Sequence, residues 1–209
     1  MGCTQSNMSS NKLINLVNYN IIIIADDSGS MNTICDKLGN TRWSQLRQNI
    51  IRLLDISNSA NVEGFDIYFL NTGLTKNINT TQKVIDIFDR VPQGLTPITE
   101  VYKNVINSIE KSTIVLIFID GQPNNIMSFM NILQNRNNPE LSPTTIIACT
   151  HNTREINWLA TLGTSISYLN IMGDYESEYL KYNKKLLPDE YVTKILTSNI
   201  SHQYNVVTL

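Results

Sequence analysis

The chain has 209 residues, a net charge of −2 and only 16% charged residues against 42% hydrophobic ones. That length suits one domain, or one domain plus a tail, and the composition can build a core and argues against a disordered chain. No basic excess advertises bulk nucleic-acid binding, and the longest apolar runs, Ile21–Ala25 and Ile114–Ile119, fall far short of the ~20 residues that span a bilayer.

The first 18 residues hold no hydrophobic signal core, so export by the usual route is not expected. Cys3, Cys35 and Cys149 show neither metal-ligand spacing nor a disulfide framework, and a reducing cytosol is their expected setting. The opening Met1-Gly2-Cys3-Thr4-Gln5-Ser6 has a glycine after the initiator Met and a serine four residues on, the pattern of N-myristoylation. Cys3 stands where a palmitoyl chain could follow. This start resembles the dually acylated ends of G-protein α subunits and Src-type kinases. One myristoyl chain binds membranes only marginally, with K around 10⁴ M⁻¹, and a second makes the anchor stable. The segment 4–18 has Lys12 as its one charge and supplies no polybasic patch. The reading is a flexible, acylated tail over 1–18 and a domain over 19–209 with a C-terminal helical extension, at the cytosolic face of a membrane.

Along the domain, strand and helix patterns alternate. Ile21–Ala25 reads as a strand buried on both faces. Trp43, Leu46, Arg47, Ile50, Ile51 and Leu54 recur at helical spacing. A strand over Phe65–Leu70 follows, then helices over Thr80–Phe88, capped by Thr80 or Thr81, and over Pro97–Ile109. Strands over Thr113–Ile119, Thr145–Cys149 and Ser165–Ile171 alternate with helices over Pro123–Leu133 and Ile156–Leu162. A last helix contains Tyr191–Leu196. Trp43 and Trp158 fall on apolar helix faces and are expected in the core. Gly173-Asp174-Tyr175, with Glu176 and Glu178, reads as a helix start and a solvated face. The alternation predicts an α/β fold: a doubly wound, mainly parallel central sheet with helices on both faces. Ligand sites in such folds lie beyond the carboxyl ends of the strands, at the switch point.

The informative residues stand at those ends. The first strand runs into Asp26-Asp27-Ser28-Gly29-Ser30-Met31, the third into Asp120-Gly121, and Gly94-Leu95-Thr96-Pro97 puts a hydroxyl just before a helix. Three loops thus offer hard oxygen ligands at one edge, and hard oxygens suit Mg²⁺. Here the chain resembles the von Willebrand factor type A (VWA) family over about residues 19–175. Its metal-ion-dependent adhesion site joins an Asp-x-Ser-x-Ser motif, matched by Asp26, Ser28 and Ser30, to a distant Thr and Asp, matched by Thr96 and Asp120. The 66 residues from Ser30 to Thr96 and the 24 more to Asp120 fit that layout. Gly94–Pro97 and Asp120–Pro123 match the Gly-x-Thr-Pro and Asp-Gly-x-Pro forms of intracellular members, with Leu95 where a second glycine is often found.

The resemblance implies that Ser28, Ser30 and sometimes Thr96 touch the metal directly, while Asp26 and Asp120 act through water. The ion, Mg²⁺ with Mn²⁺ or Ca²⁺ as alternatives, then keeps much of its charge and accepts an Asp or Glu carboxylate from a partner protein. This is a binding device, not an enzyme. Asp27, at the variable position, is expected to face solvent and add negative potential to the rim.

Other readings stay open. Asp26 and Ser28 could simply form a turn, and Thr96-Pro97 could cap a helix. The domain could be a metal-independent scaffold. A receiver-like phosphoacceptor lacks its Asp after the second strand, where Leu70-Asn71-Thr72 stands, and its Lys after the fifth, where Leu169-Asn170-Ile171 stands. A Mg²⁺-dependent phosphohydrolase lacks a nucleophilic Asp followed two residues later by an acid. His151 beside Cys149 lacks an orienting carboxylate, Cys35 reads as an ordinary thiol, and Val207-Thr208-Leu209 resembles a carboxyl-terminal PDZ ligand.

Overall fold

In the computed structural model, which describes residues 15–162 and 166–199, Asn20–Ala25 forms strand β1 near the middle of a six-stranded sheet. The acylation motif at Gly2 and Cys3, and Val207–Leu209, lie outside the described residues. The isoleucines of β1 are buried against two layers, Ile21 and Ile23 on one side and Ile24 on the other, as a strand covered on both faces requires. β2 (Phe65–Phe69), β3 (Gly73–Ile78), β4 (Thr113–Ile119), β5 (Thr144–Ala148) and β6 (Leu169–Met172) complete the sheet in the order β3-β2-β1-β4-β5-β6. Every pairing is parallel except that of β3 with β2.

The sequence pattern predicts five strands, and β3 is the sixth. It returns from β2 through Asn71-Thr72, with Gly73 at φ +85°, and pairs as an exposed, polar edge. Only Ile78 of β3 is buried, so the alternation that marks the other strands is missing.

Among the described residues there are seven α-helices: α1 (Arg42–Ser59), α2 (Thr81–Phe88), α3 (Ile98–Asn107), α4 (Ile126–Asn135), α5 (Thr153–Thr161), α6 (Tyr175–Lys181) and α7 (Pro188–Thr197). α1, α2, α6 and α7 cover the Ile23 face, and α3, α4 and α5 the Ile24 face. Trp43 and Trp158 are buried, one in each layer, as expected. Local chemistry sets the helix starts. Thr41 Oγ1 accepts from the Ser44 amide at 3.1 Å, Thr80 Oγ1 from Lys83, and Asn125 Oδ1 from Ser128 at 2.9 Å. The Asn125 cap moves the start of α4 from the predicted Pro123 to Ile126. No helix among the described residues is long and apolar enough to cross a membrane.

The stretch after Gly173 is less solvated than its sequence suggests. Asp174 caps α6, but Glu178 is buried, accepting from the Gly173 amide at 3.1 Å and from Lys181 Nζ at 2.9 Å. Tyr191, Val192, Ile195 and Leu196 bury α7 in the same core as α1, and Tyr191 donates its hydroxyl to the Gly173 carbonyl at 2.9 Å.

The connection order creates the switch point. The chain leaves β1 to build β2 and β3 on one side, then returns as β4 on the other. Ala25 lies opposite Phe118, and the Asp26 amide donates to the Phe118 carbonyl at 2.9 Å. Asp26 and Asp120 therefore leave neighbouring strands at the same edge.

If α7 belongs to the domain core, Ile195→Ala should lower the unfolding free energy by about 2–5 kcal/mol in one cooperative transition. Urea titrations followed by circular dichroism and by tryptophan fluorescence check this. Two separated transitions would show that the C-terminal helices fold apart from the sheet.

Candidate functional site

A single turn of 3₁₀ helix, Gly29–Asn32, carries the chain off β1, pinned by the fully buried Met31. Asp26 Oδ1 accepts from the Ser28 amide at 2.8 Å, which folds the loop back over the strand end. The hydroxyls of Ser28 and Ser30 then stand 3.0 Å apart, and Ser30 Oγ donates to Asp120 Oδ1 at 2.8 Å. Four of the five expected residues are joined in one chain of polar contacts. Thr96 stands apart from those bonds, half-buried on the loop before α3. That loop leans on the others through the Gly29 amide, which donates to Gly94 O at 3.4 Å, and Asn32 Nδ2, which donates to Pro92 O at 2.8 Å. Thr96 does not cap α3: Pro97 holds the cap position, and no side chain bonds there.

Two features of this cluster were not legible in the sequence. The first is Arg42, the opening residue of α1, buried and bridging Asp120 Oδ2 at 2.9 Å and Glu155 Oε2 at 2.8 Å. It looks like one more polar residue before an apolar stripe. The second is Asp27, expected to face solvent. It is fully buried, and its carboxylate accepts from the Asn71 amide at 2.8 Å, Asn71 Nδ2 at 2.9 Å, Thr72 Oγ1 at 3.0 Å and Arg90 Nη1 at 3.0 Å. The solvent reading fails because β2 ends beside β1 and turns its Asn71-Thr72 hairpin over the Asp27 side chain. No spacing signal links positions 27, 71 and 90.

Asp26 is treated differently. It is as deeply buried, but its Oδ2 has no hydrogen-bond partner. Burial, and then the nearby charge of Asp120, raise its carboxyl from 3.8 to about 7, against the hydrogen bonds from Ser28. Arg42 neutralises Asp120, so Asp26 is the carboxyl left without a counter-ion.

The donor set fits a hard cation. Adjacent ligands around an octahedral Mg²⁺ at about 2.0–2.1 Å lie about 2.9 Å apart. The 3.0 Å between the serine hydroxyls matches such an edge, and the 2.8 Å hydrogen bond from Ser30 holds Asp120 behind them. The unpartnered Asp26 Oδ2 is a buried acceptor for a water or an ion. Among the described residues no group of three or more His, Cys, Asp or Glu could hold a metal ion, so an ion here would depend on the hydroxyls. Beside the cluster a cavity of about 290 Å³ is lined by Ser30, Asp120, Gln122 and Arg154.

The other constellations carry less. His151, expected to lack an orienting carboxylate, has one in Asp174, whose Oδ2 lies 3.3 Å from Nδ1 across 23 residues of sequence. Burial raises the Cys149 thiol well above its ordinary value, so the pair has no thiolate nucleophile. Burial and Asp36 push the Cys35 thiol up to about 11, so it carries no reactive thiolate at neutral pH. Asp120 ends the strand next to β1, but Ser30 and Arg42 occupy both of its oxygens.

A carboxyl with a higher pKa in the folded chain than in the unfolded one stabilises the fold fully below about pH 4, and that contribution is lost as pH rises through about 7. In EDTA, the stability of the wild type relative to Asp26→Asn should therefore decline between pH 4 and 7, by at most about 4 kcal/mol, and then level off. Denaturant titrations at a series of pH values read this difference, and parallel curves for the two proteins would contradict it.

Neither a family model nor a curated protein matches the sequence. Solved structures do. Proximal thread matrix protein 1 from the mussel byssus is 17% identical with a TM-score of 0.51, over 88% of this chain and 48% of that one. The pilus adhesin SpaC from Lactobacillus rhamnosus GG is 10% identical with a TM-score of 0.56, over 88% of this chain and 31% of that one. The chain thus spans less than half the length of these two proteins. The VWA domain of SpRpn10 is 10% identical with a TM-score of 0.51, over 75% of this chain and 88% of that domain. At such identities the likeness concerns the fold, and that fold, a mainly parallel six-stranded sheet between two helical layers, is the von Willebrand factor type A fold.

Proposed function

We propose that this chain is a metal-dependent protein-binding module. Ser28, Ser30 and Thr96 would supply hydroxyl ligands to Mg²⁺, or to Mn²⁺ or Ca²⁺ in its place, with Asp26 and Asp120 behind them. The bound ion would supply an electrophilic position for an Asp or Glu carboxylate of a partner protein. The observation that carries this reading is the buried, unpartnered Oδ2 of Asp26 beside two hydroxyls at ligand-edge spacing. Leaving such an acceptor unmatched costs about 1–3 kcal/mol, which a cation or its water would offset.

The surroundings favour a protein partner. Ile34, Leu38, Val91, Leu95 and Met127 are large, exposed apolar residues: Ile34 and Leu38 lie between β1 and α1, Val91 and Leu95 on the α2–α3 connection that carries Thr96, and Met127 at the start of α4 after β4. Exposed apolar side chains around a polar centre are the composition of a binding surface. Binding is favoured over hydrolysis because the Ser28 and Ser30 hydroxyls are bonded to each other and to Asp120, and Asp120 to Arg42, so these polar groups are engaged with one another. The acidic balance of the chain offers nothing to a nucleic acid. The competing reading is a metal-independent scaffold of the same fold.

The tail adds a location. Gly2 and Cys3 would carry myristoyl and palmitoyl chains and hold the module on the cytosolic face of a membrane.

Millimolar Mg²⁺ should raise the thermal unfolding midpoint over that in EDTA, adding about 2.7 kcal/mol at a hundred times Kd. Ser28→Ala combined with Ser30→Ala should abolish that response and leave the chain folded in EDTA, with a stability lower by about 1–3 kcal/mol for the donor lost from Asp120. An unchanged Mg²⁺ response in the double variant would sink the site assignment, and none in the wild type would favour the scaffold. Separately, Gly2→Ala should move the protein from the membrane to the soluble fraction of its source cell; persistence on membranes would refute the lipid anchor.

A further inference from the structure

The connection from α2 to α3, residues 89–97, has no regular secondary structure and meets the Gly29–Asn32 turn through Gly94 O and Pro92 O, so something other than a ladder must fix the course of its Thr96 end. Asn71 makes a two-point clasp on it. Asn71 Nδ2 donates to Leu95 O at 2.9 Å, and the Leu95 amide donates to Asn71 Oδ1 at 3.1 Å. The clasp holds backbone alone, since the Leu95 side chain is 72% exposed. Glycine permits the approach: Gly94 has φ +113°, and a Cβ there would lie 2.3 Å from Asn71 Oδ1.

Asn71 is itself held. Its amide and its Nδ2 both donate to Asp27 Oδ1, while Asp27 Oδ2 accepts from Thr72 Oγ1 and Arg90 Nη1. Arg90 belongs to the same connection as Thr96. Its Nε donates to Ile87 O at 3.1 Å, and its guanidinium lies 4.5 Å from the Phe69 ring centroid and 5.2 Å from that of Trp43. Asp27 therefore grips the connection twice, at Arg90 where it begins and through Asn71 at Leu95, one residue before Thr96.

We propose that Asp27, acting through Asn71, is the positioning residue that sets the Thr96 hydroxyl relative to Ser28 and Ser30. The part of this that concerns metal affinity rests on the metal-site reading above; the part that concerns the loop does not. A carboxylate at position 27 has a specific advantage. It is an acceptor on both oxygens, so it can take the Asn71 backbone amide, the Asn71 side chain, a hydroxyl and a guanidinium together, and the amide of an asparagine cannot. Losing such support for a ligand costs metal sites about 10–100-fold in affinity.

The test uses the full chain with Asp27→Asn, Asn71→Ala and Gly94→Ala, and two readouts. The first is amide hydrogen exchange in EDTA. The Leu95 amide should exchange about tenfold faster or more in each variant, while the amides of β1 and β4 keep their protection. The second is Mg²⁺ titration. Affinity should fall by about tenfold or more in all three. A merely structural role would lower the thermal midpoint equally with EDTA and with Mg²⁺ and leave Mg²⁺ affinity unchanged; that result overturns the proposal, as does an unaltered Leu95 exchange rate. Should Asp27→Asn fail to fold, the two loop variants decide alone. A wild type without any Mg²⁺ response would refute the metal reading, and the exchange rates would then decide whether Asp27 positions the loop.

Discussion

The structure turns on the burial of carboxylates where β1 and β4 end side by side. The chain crosses back through α2 and α3 after β2 and β3 and lays β4 parallel to β1 on the side that β2 leaves free. Whatever follows Ala25 and Ile119 then shares one small volume. Here it is Asp26, Asp27 and Asp120, all at or below 1% exposure. Three ionised carboxylates in a low-dielectric site would be prohibitive without partners. Arg42 serves Asp120, Arg90 serves Asp27, and Asp26 stays protonated up to about pH 7 when no cation is present. Each cation arrives from outside the sheet, so the packing of α1 and of the α2–α3 connection is tied to the electrostatics of the strand ends.

That dependence explains what could be read in advance. Five strands, the helix order and both tryptophans follow from apolar patterns of one or two turns' length, which the chain displays openly. The five site positions are named from the order and spacing of a motif; the fold joins four of them in one chain of polar contacts and leaves Thr96 apart from it. β3 escaped because an edge strand with one buried residue carries no alternation. Glu178 escaped because nothing in Tyr-Glu-Ser-Glu-Tyr says which acid will turn inward to receive the Gly173 amide. Arg42 and Arg90 escaped for a more general reason. Each meets its carboxylate across 63 or 78 residues of sequence, and no local pattern encodes a pairing at that range.

Arg42 also shapes what the candidate site would do with an ion. A guanidinium 2.9 Å from Asp120 removes one unit of negative charge from the cluster, and Glu155 returns it only at the far side of Arg42. A cation at the serine hydroxyls would meet a site with less net negative charge than its two aspartates suggest. It would be held less tightly and would keep more of its field for an external carboxylate. In that setting a partner's Asp or Glu would contribute to metal affinity as well as to its own binding.

The neighbouring residues Asp26 and Asp27 make the sharpest contrast in the molecule. Both are fully buried, both leave the end of β1, and they differ by one position in the chain. Asp27 is given four donors, among them a guanidinium. Asp26 accepts the Ser28 amide on Oδ1, the Ser28 hydroxyl and the Asp120 backbone also favour its charged form, and its Oδ2 has no hydrogen-bond partner. If burial alone were being accommodated, donors would be shared, since the first bond to a bare buried oxygen stabilises more than a second bond to a satisfied one. The actual distribution is lopsided. Donors are concentrated on the carboxylate that fixes loops and withheld from the one that faces the hydroxyls. The two adjacent acids therefore do different work: Asp27 commits both oxygens to fixing the hairpin and the α2–α3 connection, whereas Asp26 leaves one acceptor open beside the serine hydroxyls, just as Arg42 Nε and Arg90 Nη2 stay open among the donors around it.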